Sequence, residues 1–367
     1  MDEAHKIFMK RALDLARQGK GRTSPNPLVG AVIVKSGQVV GEGYHQKAGT
    51  PHAEIHALNV AGANAKGATL YTNLEPCCHW GRTPPCTEAV IQANIAQVYI
   101  AEVDPNPNVA GKGIRQLQAA GITVHVGLCA EEAARLNEIH TKYIQTGKPF
   151  VILKTAMSLD GKIATASGES QWITTEASRQ CGHEIRDTVD AILVGIGTVI
   201  RDNPALTTRL RHRAGQDAIR IVLDSRGRTS TKARIFNPES SAGVIVVVTP
   251  DAPPQNFEAL RTAGAEVIIV PEVRGKVSFK HLIDVLGERE ITSVLIEGGG
   301  EINASAVAAG VVDKVMCFVA PKLIGGRKAP GPIGGDGVPS LSDVPHLQRI
   351  SITPISDSED FLIEGYL

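Results

Sequence analysis

The chain has 367 residues, more than one domain usually holds, so two domains are the first expectation. Its 38 Lys and Arg balance 38 Asp and Glu, and zero net charge argues against a nucleic-acid polymer as partner, whereas a small phosphorylated ligand needs only a few local cations. The apolar run 307–320 is interrupted by Asp313 and Lys314 and falls short of a membrane span. The opening Met1-Asp2-Glu3 shows no secretory pattern, and three of the six cysteines (Cys77, Cys78, Cys86) crowd together, which suggests metal or catalysis in a reducing, cytoplasmic setting.

Hydrophobic periodicity predicts a helix over 3–17, strands over 29–34 and 39–44, a helix over 51–62 and a strand over 68–74. A helix over 84–93, a strand over 97–103, a helix over 113–120, a strand over 123–126 and a helix over 131–145 follow. This order reads as a three-layer α/β domain over residues 1–146. Thr146-Gly147-Lys148-Pro149 is a stop-and-linker signal, and a second α/β domain is expected over 148–367. Its strands are predicted at 150–155, 191–195, 220–224, 244–249, 266–270, 293–297 and 315–320, with helices over 175–188, 279–289 and 302–309. No repeat or low-complexity segment is present.

The chemistry-bearing residues of the first half gather at predicted helix starts. In Thr50-Pro51-His52-Ala53-Glu54, Thr50 reads as the cap and Pro51 as the first helical residue. His52 and Glu54 then converge only on a site over the helix N-terminus, because two helical positions differ by about 200°. Thr83-Pro84-Pro85-Cys86 repeats the device and sets Cys86 in a first turn, where a thiolate is favoured. Cys77 follows a strand and Glu75-Pro76. One imidazole (His52) and two thiolates (Cys77, Cys86) make a three-ligand zinc site with a position left for water, and Glu54 would shuttle the proton. H-A-E and P-C match the signature of zinc nucleobase deaminases, but the second cysteine lies nine positions on rather than three. Cys78 or His79 as a fourth ligand of a structural zinc is the alternative.

Pro25-Asn26-Pro27-Leu28-Val29-Gly30, Gly43-Tyr44-His45, His52-Ala53-Glu54 and the segment from Glu75 to Cys86 together resemble the bifunctional deaminase–reductase family of riboflavin biosynthesis, in which the long cysteine insert is characteristic. The resemblance implies a cytidine-deaminase-like first domain acting on 2,5-diamino-6-(5-phosphoribosylamino)pyrimidin-4(3H)-one, a small phosphorylated pyrimidine. It also implies Asn26, His45, His79 and Asn106 as substrate contacts. His45 and His79 equally suit surface or core positions.

In the second half, Leu295 to Asn303 reads as a buried strand, three glycines and a helix start, a phosphate-binding device. No full G-x-G-x-x-G is present, which opposes a Rossmann domain. Ser158 to Lys162, Gly168 to Thr174, Gly197 to Val199, Asp202 to Thr207 and Glu297 to Gly299 resemble the reductase of the same family, in family order. That resemblance implies a dihydrofolate-reductase-like fold using NADPH. Cofactor contacts would be Ala156, Trp172, Thr198, Asp202, Ser225 and the turn Gly299, Gly300, Glu301, Ile302, Asn303, Ala304 and Ser305. Substrate contacts would be Ser170, Arg186, Leu206, Arg209 and Glu297. Arg186 and Arg209 suit a bidentate grip on a ribose phosphate, and Lys154 suits polarisation of the sugar imine that takes hydride. Two rivals remain at this stage: a nucleoside or tRNA deaminase fused to an unrelated reductase, and a nucleotide-binding regulator with structural zinc. The sequence leaves the oligomeric state open, a homo-oligomer included.

Overall fold

Met9, Ala12, Leu13 and Ala16 form an apolar stripe at helical spacing, and this stripe is fully buried on α1 (Glu3–Arg17). In the computed structural model, residues 3–80, 84–107, 109–236 and 239–367 are described, and the chain divides into two units, Met1–Gly147 and Lys148–Leu367. The first unit continues with β1 (Gly30–Lys35), β2 (Gln38–Tyr44), α2 (Ala53–Ala61), β3 (Thr69–Leu74), α3 (Cys86–Gln92) and β4 (Gln97–Glu102). It closes with α4 (Lys112–Ala119), β5 (Thr123–Val126), α5 (Ala130–Leu136) and α6 (Glu138–Thr146).

The sheet runs β2-β1-β3-β4-β5, with β1 antiparallel to both neighbours and β3, β4 and β5 parallel. Alternate residues of β1 point to opposite faces, as the pleat requires. Ala31 and Ile33 pack with Ala53, Ala57, Val90 and Leu117 of α2, α3 and α4, while Val32 and Val34 pack with the α1 stripe and Ala133 of α5. Gly30 lets α1 approach, since a Cβ there would stand 2.0 Å from the Ala12 carbonyl oxygen. The expected three-layer arrangement is therefore present.

Two local readings are corrected. The helix expected from Pro51 begins at Ala53, because Pro51-His52 is extended (His52 φ −75°, ψ 166°), and Thr50 Oγ1 donates to the Lys47 carbonyl instead of capping. The helix expected over 131–145 breaks at Asn137, whose side chain accepts from Leu28 N and donates to the Leu28 carbonyl. An amide spent on a distant loop cannot also favour continuous helix.

The second unit contains β6 (Phe150–Ser158), α7 (Glu176–Arg186), β7 (Ala191–Gly195), α8 (Ile196–Asp202), β8 (Ile219–Leu223), β9 (Val244–Val248), α9 (Pro254–Thr262) and β10 (Ala265–Ile269). A short hairpin, β11 (Glu272–Val273) and β12 (Lys276–Val277), precedes α10 (Phe279–Glu288), β13 (Ser293–Ile296), α11 (Gly300–Ala308), β14 (Lys314–Ala320), β15 (Gln348–Pro354) and β16 (Phe361–Tyr366). Among the described residues these form a sheet in the order β10-β9-β8-β7-β13-β6-β14-β16-β15, parallel from β10 to β14 and antiparallel beyond. Sequence reading missed α8, α9, β15 and β16. β15 is an edge strand exposed along its whole length, so its pattern carries no core imprint. Among the described residues no helix is long and apolar enough to cross a membrane.

Candidate metal centre and cofactor cavity

His52 occupies the cap position of α2, Cys86 opens α3, and Cys77 lies on the segment leaving β3. Parallel strands deliver their carboxyl ends to one edge, so β3 carries Cys77 to the two helix starts. His52 Nδ1 stands 3.2 Å from Cys86 Sγ and 3.5 Å from Cys77 Sγ, and the Cys86 amide donates to Cys77 Sγ over 3.3 Å. All three donor atoms lie within 4.8 Å of one another, a separation that suits tetrahedral zinc. Cys78 is outside this cluster. Thr83, read as a helix cap, lies outside the described residues; the cap position is held by Pro85.

The thiol hydrogen bond from Cys86 draws Cys77 well down, while the same bond pushes Cys86 up. Glu54, in the first turn of α2, is 3% exposed, and burial raises its carboxyl above the usual range. Among the described residues its Oε2 is buried without a hydrogen-bond partner. A buried carboxyl with one oxygen left unpartnered beside a three-donor cluster is what a proton shuttle requires and what a closed structural zinc does not.

The surrounding shell is built by hydrogen bonds. His45 is buried and engages both ring nitrogens: Nδ1 donates to the Pro51 carbonyl and Nε2 accepts from Asn26 Nδ2 over 3.1 Å. Burial lowers its pKa, so it is the neutral imidazole that orients Asn26. Asn73 holds the loop entering β1, accepting from Gly30 N and donating to the Leu28 carbonyl. His79 is exposed. Asn106 is half-buried, its amide donating to Asp104 Oδ1. Sequence reading missed Glu75 and Asp104. Glu75 accepts from the amides of Asp104, Gly111 and Ile114, tying the Cys77 segment to Asp104 and to the start of α4. Burial raises Asp104 to about 6. The signal available was a carboxylate immediately before Pro76-Cys77.

In the second unit the carboxyl ends of β13, β7 and β8 border a cavity of about 810 Å³. Gly195 and Gly298 admit Ile302, since a Cβ on either would stand under 3 Å from its side chain, and this seats the start of α11 on the strand ends. Of the residues expected from sequence, Thr198, Asp202, Ser225, Gly299, Gly300, Glu301, Ile302 and Ser305 line the cavity, with Ser170 and Glu297. Asn303 and Ala304 do not: Asn303 is buried, donating to the Pro332 carbonyl, and Ala304 is half-buried. Ala156 is half-buried on β6 opposite Phe318, and Trp172 lies 4.3 Å beneath the Arg179 guanidinium; neither lines the cavity.

Arg186 is engaged within the protein: its Nε and Nη2 donate to the two Glu297 oxygens at 3.0 and 2.6 Å, and Nη1 donates to the Thr207 carbonyl. Burial opposes ionisation of Glu297, but the Arg186 and Lys154 charges override it and hold the carboxyl down to about 2. Leu206 is buried in the left-handed region (φ 52°) at the turn that precedes Thr207. Arg209 is exposed and donates only to Thr207 through its side chain. Lys154 leans over the Phe318 ring at 5.5 Å, mid-strand rather than at a strand end. His183, unread in sequence although it sits one turn before Arg186 on α7, accepts the Arg209 amide. Burial and the neighbouring Arg186 and Arg209 charges lower it to about 4.

Residues 2–102 match the cytidine and deoxycytidylate deaminase zinc-binding region, and residues 149–358 match the RibD C-terminal domain. The riboflavin biosynthesis protein RibD of Actinobacillus pleuropneumoniae is 44% identical over 357 residues, covering 97% of this chain and 94% of that protein. RibD of Acinetobacter baumannii has the same fold over 99% of both chains, with a TM-score of 0.86 and 38% identity. A Thermotoga maritima structure, described as a diaminohydroxyphosphoribosylaminopyrimidine deaminase and 5-amino-6-(5-phosphoribosylamino)uracil reductase, gives 0.85 and 38% over 99% of this chain and 98% of that one. A zinc-binding deaminase unit followed by a reductase unit, matched along nearly the whole length, places this chain in the RibD family of bifunctional deaminase–reductases of riboflavin biosynthesis.

Proposed function

We propose that the first unit deaminates 2,5-diamino-6-(5-phosphoribosylamino)pyrimidin-4(3H)-one and that the second reduces the ribosyl side chain of the product with NADPH, yielding 5-amino-6-(5-phosphoribitylamino)uracil. The observation that carries the first step is the buried Glu54 carboxyl, its Oε2 unpartnered among the described residues, beside His52, Cys77 and Cys86. These three residues hold the metal, and zinc bound there supplies Lewis acidity toward water. Glu54 takes a proton from the attacking water at Oε2 and returns it to the departing amine, so water replaces the amino group and ammonia leaves. His45 fixes Asn26 for the substrate from behind. Asn106 and His79 would contact the substrate as well.

In the second unit the cavity would hold a nicotinamide dinucleotide, which when bound would supply hydride. Ser225, Thr198, Asp202, Gly299, Gly300, Glu301, Ile302 and Ser305 would contact it, the open Cβ position at Gly299 leaving room for a phosphate near the α11 amides. Lys154 polarises the sugar, Ser170 and Glu297 orient it, and the Leu206 turn presents Arg209 to the phosphate, while Arg186 fixes Glu297. The test is to supply the full-length zinc-loaded protein with the diaminopyrimidine phosphate, cytidine or tRNA, and to follow ammonia and NADPH. Ammonia release from the first alone, with NADPH consumed afterwards, is expected. Preferential deamination of cytidine or tRNA would overturn the proposal.

A further inference from the structure

The segment that joins α8 to β8 carries the Leu206 turn and Arg209, and residues 203–210 belong to no helix, strand or hydrogen-bonded turn. Their backbone groups therefore need partners from elsewhere in the fold. Asn203 (φ 39°) and Leu206 (φ 52°) stand in the left-handed region, and for a bulky side chain such as Leu206 that conformation is costly and persists only where the surroundings hold it.

Three side chains hold the residues that follow. The Thr207 carbonyl accepts from Arg186 Nη1 at 3.0 Å, the Thr208 amide donates to Asp217 Oδ1 at 2.6 Å, and the Arg209 amide donates to His183 Nδ1 at 3.3 Å. Asp217 reaches the segment from the stem before β8 and His183 from α7, so two successive amides are gripped by two different parts of the unit. Asp217 is itself fixed, its Oδ2 accepting the Ser240 hydroxyl at 2.6 Å. A backbone amide only donates, so Nδ1 of His183 must be unprotonated, and burial with the Arg186 and Arg209 charges keeps the imidazole in that neutral form. The rest of the loop is laid along α7: Arg211 pairs with Glu176 at 2.5 Å, Arg213 pairs with Asp187 at 2.5 Å, and the Gln216 amide donates to Asp187 Oδ1 at 2.7 Å.

Arg209 is the group in this clamp with capacity left over. Its Nη1 donates to Thr207, whereas Nε and Nη2 have no hydrogen-bond partner, and no carboxylate pairs with the guanidinium, among the described residues. We propose that Asp217 and His183 are positioning residues of the reductase, which by holding the Thr208 and Arg209 amides set the Arg209 fork where the substrate phosphate arrives. The inference rests on the reading of Arg209 as the phosphate contact. With the clamp in place the segment is ordered before the substrate binds, and an anion meets a fork whose backbone is already fixed. The role needs only an acceptor atom. Asparagine offers an oxygen in place of His183 Nδ1 and of Asp217 Oδ1, whereas leucine keeps the bulk and removes the acceptor.

The test uses the full-length zinc-loaded protein and follows reduction of pre-deaminated substrate and of its dephosphorylated analogue. Wild type is compared with Arg209→Ala, His183→Leu, His183→Asn, Asp217→Leu and Asp217→Asn. Each leucine variant should raise KM for the phosphorylated substrate roughly two- to tenfold, less than Arg209→Ala does, because the guanidinium itself remains. Its kcat, its KM for NADPH and its constants with the analogue should stay within about twofold of wild type, and both asparagine variants should stay near wild type throughout. In an Arg209→Ala background each leucine substitution should add less than about twofold, since the group it positions is gone. A phosphate-dependent rise in Arg209→Ala with none in either leucine variant overturns the inference and leaves the phosphate reading intact. No phosphate-dependent rise in Arg209→Ala overturns both. Equal impairment on both substrates, loss through misfolding included, or full additivity with Arg209→Ala makes the residue structural and overturns its assignment. Asparagine variants that rise as far as the leucine ones overturn it as well.

Discussion

Replacing Arg186 by methionine should destabilise the second unit at neutral pH by about 3 kcal/mol or more, because it strands Glu297. The pair is held by contacts of 2.6 and 3.0 Å, and its side chains are 16% and 10% exposed. The Glu297 carboxyl falls from its ordinary 4.5 to about 2, and at 1.36 kcal/mol per pH unit that lowering corresponds to about 3 kcal/mol, near the 3–5 kcal/mol usual for breaking a buried pair. Because the folded value is depressed, the stabilisation is complete above 4.5 and is lost as pH falls through about 2. Wild type should therefore lose this contribution between roughly pH 5 and pH 2, and Glu297→Gln should not show that part of the slope. Urea unfolding followed by Trp172 fluorescence in a Trp80→Phe background isolates the second unit, since the chain has two tryptophans. The double variant Arg186→Met with Glu297→Leu should be less destabilised than Arg186→Met alone. A Glu297→Gln protein that keeps the full acid slope, or an Arg186→Met cost below about 1 kcal/mol, would refute the argument.

Glu54→Gln should cut deamination about 10²–10⁴-fold while zinc content stays near that of wild type, measured by ammonia release and metal analysis; loss of the metal would make Glu54 a ligand instead. Chelating zinc from the intact protein should abolish ammonia release and leave reduction of pre-deaminated substrate unchanged, since no residue of the three-donor cluster belongs to the Lys148–Leu367 unit. Arg209→Ala should raise KM for the phosphorylated substrate roughly ten- to a hundredfold and leave KM for NADPH within about twofold, and the effect should vanish with a dephosphorylated analogue. An equal rise on both substrates would instead make Arg209 a structural residue.

The sequence by itself determined the three-layer first domain, the second α/β pattern and the His52, Cys77 and Cys86 constellation, because these follow from local quantities. Apolar periodicity, two prolines at helix starts and a cysteine after a strand each act within a few residues of themselves. The fate of each candidate side chain depended on residues distant in sequence, and only the tertiary structure decided it. Cys77 rather than Cys78 meets His52 because of how the chain leaves β3. Asn137 breaks a helix because Leu28 claims its amide. Arg186 spends two of its donors on Glu297, 111 residues on. The amides of Thr208 and Arg209 are met by Asp217 and His183, 9 and 26 residues away. A fork or carboxylate has the same donors and acceptors wherever it stands, and composition and spacing do not say which partner reaches it first.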